Sequence, residues 1–414
     1  MSFVPKRLEA SVFKSFFICF AEKKEMETSI EKAAVCALGK IFGFRPKTGI
    51  SLMKHFGSAM AVFEAGQERI RQVMGPFNDV NGKLTLKEVE ECMRMLERLS
   101  GEGVDFISIN DESYPRLLKE CDDPPLGLYV KSVTPAKELW NDRRIIAVVG
   151  TRDLSSYGEY WCREIIKSLA ECEEKPVIVS GLAIGTDICA HRAALEFGLP
   201  TIAVMPTGAD SVYPKRHFGY AQRICSTEGC ALVTDYPPGT EALAIHFLRR
   251  NRIIAALAEA LILTESRIKG GGMMTARLAF SYNRDVYVLP GRIDDVRSQG
   301  CNYLVRNKIA EFITSAEDLL ENIGMKRRKG LSDSLSIRQT AERMYSEKMD
   351  GDKVELMSRL LMEIRSERDI SVEELASRLL ISYTLASRLT GMLESDGLIR
   401  KDLLGRCSIN GNFV

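Results

Sequence analysis

Three glycine-bearing segments carry residues suited to holding an anion, and a fourth sets cations beside an aromatic ring. The first is Val149-Gly150-Thr151-Arg152. Gly150 permits a tight turn and the planar fork of Arg152 matches a phosphate, although an ordinary turn with an arginine salt bridge explains the same residues. The second is Ser180-Gly181-Leu182-Ala183-Ile184-Gly185-Thr186-Asp187. Its glycines and hydroxyls, ahead of a helix N-terminus, make a cradle for an anion, with Asp187 expected to cap the helix. The third is Thr264-Glu265-Ser266 followed by Lys269-Gly270-Gly271-Gly272. The glycines free the backbone, the helix that follows favours negative charge, and Lys269 adds a full charge; the plainer alternative is a glycine loop with no ligand. The fourth is His246-Phe247-Leu248-Arg249-Arg250-Asn251-Arg252. Arg250, Asn251 and Arg252 beside Phe247 suit the phosphates and stackable bases of a single-stranded nucleic acid. The alternative is one solvated face of a helix whose other face, with Ile253, Ile254 and Leu257, is buried.

Other chemistry lacks its signature. No Gly-x-Gly-x-x-Gly follows the first strand and no Walker A sequence occurs, so neither a dinucleotide cofactor nor ATP hydrolysis is expected. No nucleophilic triad stands out, and no catalytic residue is assigned. Eleven cysteines at scattered spacings and four histidines offer no metal-ligand pattern, so no metal is expected and the thiols read as reduced, as in the cytoplasm.

The anion-friendly segments follow short apolar runs. These are 145–149, 177–179, 201–204, 231–233, 260–263 and 286–289, alternating with helix-like segments from Val104 to Gly324. Continuous apolar runs indicate strands covered on both faces, and the alternation predicts an α/β fold, a Rossmann-like doubly wound parallel sheet spanning 101–325. Ligands of such sheets sit beyond the carboxyl ends of the strands, where the first three segments converge. Before it, 26–100 reads as a helical domain of SAM or helix-hairpin-helix type, from Gly43-Phe44-Arg45-Pro46-Lys47-Thr48-Gly49 and Phe56-Gly57-Ser58. Arg45 stands where such hairpins commonly carry a second glycine, which points to packing rather than phosphate contact. After the sheet, 326–352 is polar and aperiodic and reads as a linker that starts with the basic cluster Lys326–Lys329. Residues 353–414 read as a winged helix, with Ser371 and Glu374 as a capping box and a two-stranded wing around Gly405. Its presumed recognition helix balances Arg388 with Glu394 and Asp396, a poor face for a DNA groove.

Composition bounds the rest. The 414 residues are 45% hydrophobic and 27% charged with formal net charge +1, so a nucleic-acid partner must be held by a local patch. No apolar run spans a bilayer, and no membrane association is expected. Ser11 to Phe20 is apolar but interrupted by Lys14, and 21–25 lacks a small-residue cleavage site. Residues 1–25 therefore read as a disordered leader, or as a start assigned too early, with Met26 opening the domain.

Taken in order, the segments resemble the DNA-processing protein A family. The likeness rests on Tyr114-Pro115-Arg116-Leu117-Leu118, Pro124-Pro125-Leu126, Gly150-Thr151-Arg152, Ser180 to Asp187, and Gly208-Ala209-Asp210 with Tyr213-Pro214. It continues through Tyr236-Pro237-Pro238-Gly239-Thr240, Arg250-Asn251-Arg252-Ile253-Ile254-Ala255, Lys269 to Ala276, Pro290-Gly291 and Gly300-Cys301-Asn302-Tyr303-Leu304. The resemblance implies a cytoplasmic, homodimeric, non-enzymatic protein of natural transformation that binds and protects incoming single-stranded DNA and helps load RecA. It also implies DNA contacts at Arg152, Ser180, Gly181 and Lys269. Leu248, Ala256 and Lys308-Ile309 depart from the family pattern beside the pocket. Two other readings compete. One is a nucleotide-cleaving, phosphoribohydrolase-like enzyme, whose Pro-Gly-Gly-x-Gly-Thr signature breaks at Arg292-Ile293-Asp294; the other is a regulator acting through the winged helix.

Overall fold

The apolar runs become the middle of one mixed sheet. The computed structural model describes residues 26–75, 83–328, 337, 340–342, 344–346, 349–367, 369–402 and 404–410. The expected leader, 1–25, lies outside them. Helices α1 (26–42), α2 (Pro46–Phe56), α3 (Ala59–Glu64), α4 (Gln67–Met74) and α5 (Leu86–Gly101) come first. Then follow β1 (Val104–Ser108), α6 (Arg116–Lys119), β2 (Gly127–Lys131), α7 (Ala136–Trp140), β3 (Ile145–Val149), α8 (Ser156–Ala170), β4 (Val177–Ser180) and α9 (Thr186–Glu196). The second half runs β5 (Thr201–Val204), α10 (Phe218–Ser226), β6 (Ala231–Thr234), α11 (Ala244–Leu257), β7 (Ala260–Leu263), α12 (Gly271–Ser281), β8 (Asp285–Val288), α13 (Gln299–Arg306), β9 (Glu311–Phe312) and α14 (Ala316–Asn322).

The strand order is β1-β2-β6-β5-β4-β3-β7-β8-β9. From β6 to β9 all neighbours are parallel, while β2 is antiparallel to both β1 and β6. The expected parallel sheet is thus extended at one edge by an antiparallel pair. The six expected strands all form, and both faces are covered as their composition requires. Ile146, Val148, Ile178 and Ile262 pack with Cys162, Ile165 and Ile166 of α8, Ala190 of α9 and Leu319 of α14. Ala147, Val149, Val179 and Leu263 pack with Ile253 and Ile254 of α11 and Met273 of α12.

The N-terminal helices share that second core. Leu38, Phe42 and Leu52 belong to the same buried cluster as Leu126 and Tyr129. The Cys36 thiol lies 3.1 Å from the Tyr129 hydroxyl. Contacts accordingly divide the chain at Lys326, into Met1–Lys326 and Arg327–Val414, with the segment expected as a separate 26–100 domain inside the first unit. Around Gly43–Gly49 the chain runs from α1 through a turn into α2, with Pro46 at the first helical position.

In the second unit, helices Gly351–Ser366, Val372–Arg378 and Tyr383–Ser395 accompany strands β10 (Ile370–Ser371), β11 (Ile399–Lys401) and β12 (Arg406–Ile409), ordered β10-β12-β11. Ser371 accepts from the Glu374 N–H, and β11 and β12 pair antiparallel about Gly405. The linker expectation for 326–352 needs correction. Ile337, Ala341 and Tyr345 are buried in this unit's core, and the Tyr345 hydroxyl donates to Asp396 at 2.6 Å. Their spacing of four places one apolar stripe on a helix face among charged neighbours. Among the described residues the ten cysteines are free thiols, eight of them buried.

Candidate functional site

The chain builds β4, β5 and β6 on one side of β3, then returns to build β7, β8 and β9 on the other. Strand direction outward from β3 reverses there, so the loops after β3 and β7 flank the crevice where open α/β sheets take ligands. Gly150, between the loops, has no room for a side chain. A Cβ there would lie 2.3 Å from Thr186 Oγ1 and 2.5 Å from Thr264 Oγ1. These two hydroxyls are 2.9 Å apart, and the Thr186 N–H donates to the Thr151 carbonyl at 3.1 Å. Gly185, at φ +84°, presses on the same loop, since its Cβ would fall 2.2 Å from the Thr151 oxygen. The ends of β3, β4 and β7 are therefore one packed block, as expected.

What the block offers to solvent is narrower than the three expected cradles. The Ser180–Asp187 loop spends its polar groups internally. The buried Ser180 hydroxyl donates to the Val148 carbonyl at 2.6 Å, and the Asp187 carboxylate accepts from the Ala183 N–H at 3.4 Å. Gly181 faces Arg250 and Asp187. The carbonyl of Leu182, itself at φ +59°, accepts from His217 Nδ1 at 2.8 Å. Burial pushes the Asp187 carboxyl up, against the opposing pull of Arg250. Ser180 and Gly181 are thus buried supports, whereas Gly185 is half-buried and presses on the loop that carries Arg152.

The loop after β7 differs. Lys269 is exposed and has no ion pair among the described residues. Gly270 caps α12, and Gly271 has open space where a side chain would be. No described group accepts from the Gly271 and Gly272 N–H donors in the first turn of α12, as is general for a helix start. The buried Glu265 carboxylate turns away to α8, accepting from Ser155 N–H at 2.9 Å and Ser155 Oγ at 2.5 Å. This clasp ties the β7 loop to the segment that carries Arg152.

The basic segment expected on one helix is α11, and it divides by face. Arg250 is buried, donating to the carbonyls of Gly181 and Val204, and burial pulls its pKa down to about 10. Arg252 is buried against Asp235 at 2.7 Å and Asp123 at 3.8 Å. Neither guanidinium is available to a ligand, a correction that follows from the apolar positions 253–257 drawing the helix into the core. Asn251 is half-buried. Phe247 does face the block. The exposed Arg152 guanidinium sits 5.1 Å from its ring centroid, and Tyr213, which is 44% exposed, meets it edge-on at 5.4 Å. Tyr213 was not anticipated as a site residue; the Tyr213-Pro214 pair after β5 is the signal that marks it. The arrangement presents two exposed cations, unpaired helix donors and a two-ring platform on one edge, which fits a chain of phosphates carrying flat bases.

Comparison with known proteins identifies the family. A family model described as DNA recombination-mediator protein A matches residues 105–324. The chain is 32% identical over 304 residues to Protein Smf of Synechocystis sp., covering 73% of this chain and 67% of that one. It is 38% identical over 213 residues to the DNA processing protein DprA of Streptococcus pneumoniae, covering 51% and 72% respectively. The crystal structure of S. pneumoniae DprA superposes with a TM-score of 0.57 at 31% identity, covering 70% of this chain and 97% of that one.

Proposed function

This chain belongs to the DNA recombination-mediator protein A family, and from that premise we propose that it binds single-stranded DNA across the loops after β3 and β7. One observation carries the reading: exposed Arg152 lies on the Phe247–Tyr213 platform, in the loop whose Gly150 packs against Gly272 in the first turn of α12. In this reading Arg152 and Lys269 pair with phosphates. The Gly270–Gly271 backbone approaches a phosphate at the helix N-terminus, Phe247 and Tyr213 stack on bases, and half-buried Asn251 is within reach of a base edge. Gly150, Thr151, Ser180, Gly181, Gly185, Arg250 and Arg252 hold that surface in shape. The protein acts as a binding mediator in DNA uptake and recombination rather than as an enzyme; it works in the cytoplasm as a homodimer and passes its strand to RecA. The C-terminal unit is a winged helix with a secondary part in DNA contact.

The test compares an oligothymidylate with blunt duplex across a salt series. Single-strand affinity exceeds duplex affinity and falls with salt by ~0.7 in log slope per phosphate contact. Equal affinity for the two at one ionic strength would defeat the reading.

A further inference from the structure

We infer that Phe44, with Arg249 stacked on one face, is a second base-stacking subsite that carries the single-strand track across the first turn of α11 onto the N-terminal hairpin. The inference rests on reading the β3–β7 edge as the single-strand site. Phe44 lies in the turn between α1 and α2 and is 60% exposed. The ring is nonetheless held in place. The Arg249 guanidinium lies 4.0 Å from its centroid and donates to the Gly43 carbonyl next to it. His246 stands 6.2 Å away, itself fixed by the Glu241 carbonyl at 2.8 Å and the Tyr236 ring at 4.5 Å. The turn is closed by the Arg45 N–H donating to the Phe42 carbonyl at 2.6 Å, and Pro46 stiffens its exit.

One face of the ring is thus covered by a cation, while Phe44 as a whole stays 60% exposed. A base stacking on the opposite face completes a cation–ring–base sandwich at small entropic cost, because the ring is already positioned. Continuity with the main site follows from the chain. His246, beside Phe44, and Phe247, beneath Arg152, are consecutive residues of α11. The two aromatic platforms therefore flank one helix about 10–12 Å across, a gap that a flexible single strand bridges and a stiff duplex does not.

The experiment uses the full chain and two oligothymidylates, roughly 5 and 20 nucleotides long to bracket common site sizes. Phe44→Ala is expected to weaken binding of the long strand about tenfold, and so to reduce the advantage of long over short strands. Phe44→Trp restores that advantage, and its added emission, measured against the parent, is quenched at saturating oligothymidylate. Parental long-strand affinity in Phe44→Ala, or an emission from Phe44→Trp that ignores saturating DNA, overturns the subsite. Arg152→Ala separates the two levels of the argument. If it loses affinity while Phe44→Ala does not, the extension alone fails; if Arg152→Ala also binds normally, the reading of the β3–β7 edge fails.

Discussion

Arginines in this chain have opposite roles, and burial decides which. Arg152 is exposed on an aromatic ring, whereas Arg252 is locked to Asp235 inside the protein. Replacing Arg152 or Lys269 by alanine is expected to weaken single-stranded DNA binding tenfold or more, since hydrogen bonds to charged groups contribute about 1.5–3 kcal/mol, while melting stays unchanged. Arg252→Leu is expected to do the reverse. It leaves Asp235 charged and buried without its partner, at a cost of about 3–5 kcal/mol in urea unfolding. A mild effect on melting would mean that Asp235 finds other support. Sequence showed that basic residues cluster beside Phe247 but not which ones face outward, because the deciding contacts, Asp123, Asp235, Gly181 and Val204, come from distant segments. His191 supplies a pH signature. Burial, reinforced by Arg250 and His217, pulls its imidazole down to about 3. In the unfolded chain a histidine titrates near 6.5, so between about 6.5 and 3 the unfolded state binds the extra proton. Stability therefore falls as pH drops through that window, by up to about 1.4 kcal/mol per pH unit. Urea midpoints at pH 7 and pH 5 should converge in His191→Gln relative to the parent; an identical drop in both would remove His191 as the cause.

Among the elements, the glycine-rich starts of α9 and α12 look alike in sequence and differ in structure. Gly185 combines a left-handed backbone with a contact to the Thr151 carbonyl, so Gly185→Ala should both destabilise the fold and displace Arg152. Gly271 has open space and an ordinary φ. In Gly271→Ala the helix start should be as stable as before or up to about 1 kcal/mol more so, while DNA affinity drops because a methyl group now stands where a phosphate approaches. Unchanged affinity with raised melting would place the strand elsewhere. Six of the seven strands in the parallel run were legible because each sits on a continuous apolar run, which only a doubly covered strand requires. The antiparallel edge was not: β1 and β2 carry Asp105, Gly127 and Lys131, and they declare themselves only by pairing with each other and with β6. The buried residues Ile337, Ala341 and Tyr345 were hidden for a related reason, as polar neighbours outnumber them in the sequence.

At the scale of the whole molecule, the break at Lys326 separates the proposed DNA surface from the C-terminal unit. A chain ending at Lys326 is expected to keep most of its single-strand affinity, because the helix Tyr383–Ser395 with its cap balances Arg388 with Glu394 and Asp396 and gains little from counterion release. A second chain ending after Lys329 controls for the basic cluster; a hundredfold loss in both, with folding intact, would move the main contact to the C-terminal unit. The buried thiols have a separate consequence. Cys36, Cys92, Cys162, Cys172, Cys189, Cys230, Cys301 and Cys407 are spread over both units and closed to solvent, and the half-buried Cys121 and Cys225 are held mainly by burial up at about 11. A thiol must be both uncovered and ionised before an alkylating reagent can take it. The molecule thus contains its own set of timed seals: labelling followed peptide by peptide reports how often each region opens, without any introduced probe. Strand binding should slow the clock at Cys301, behind the β7 loop, and leave the one at Cys407 running as before.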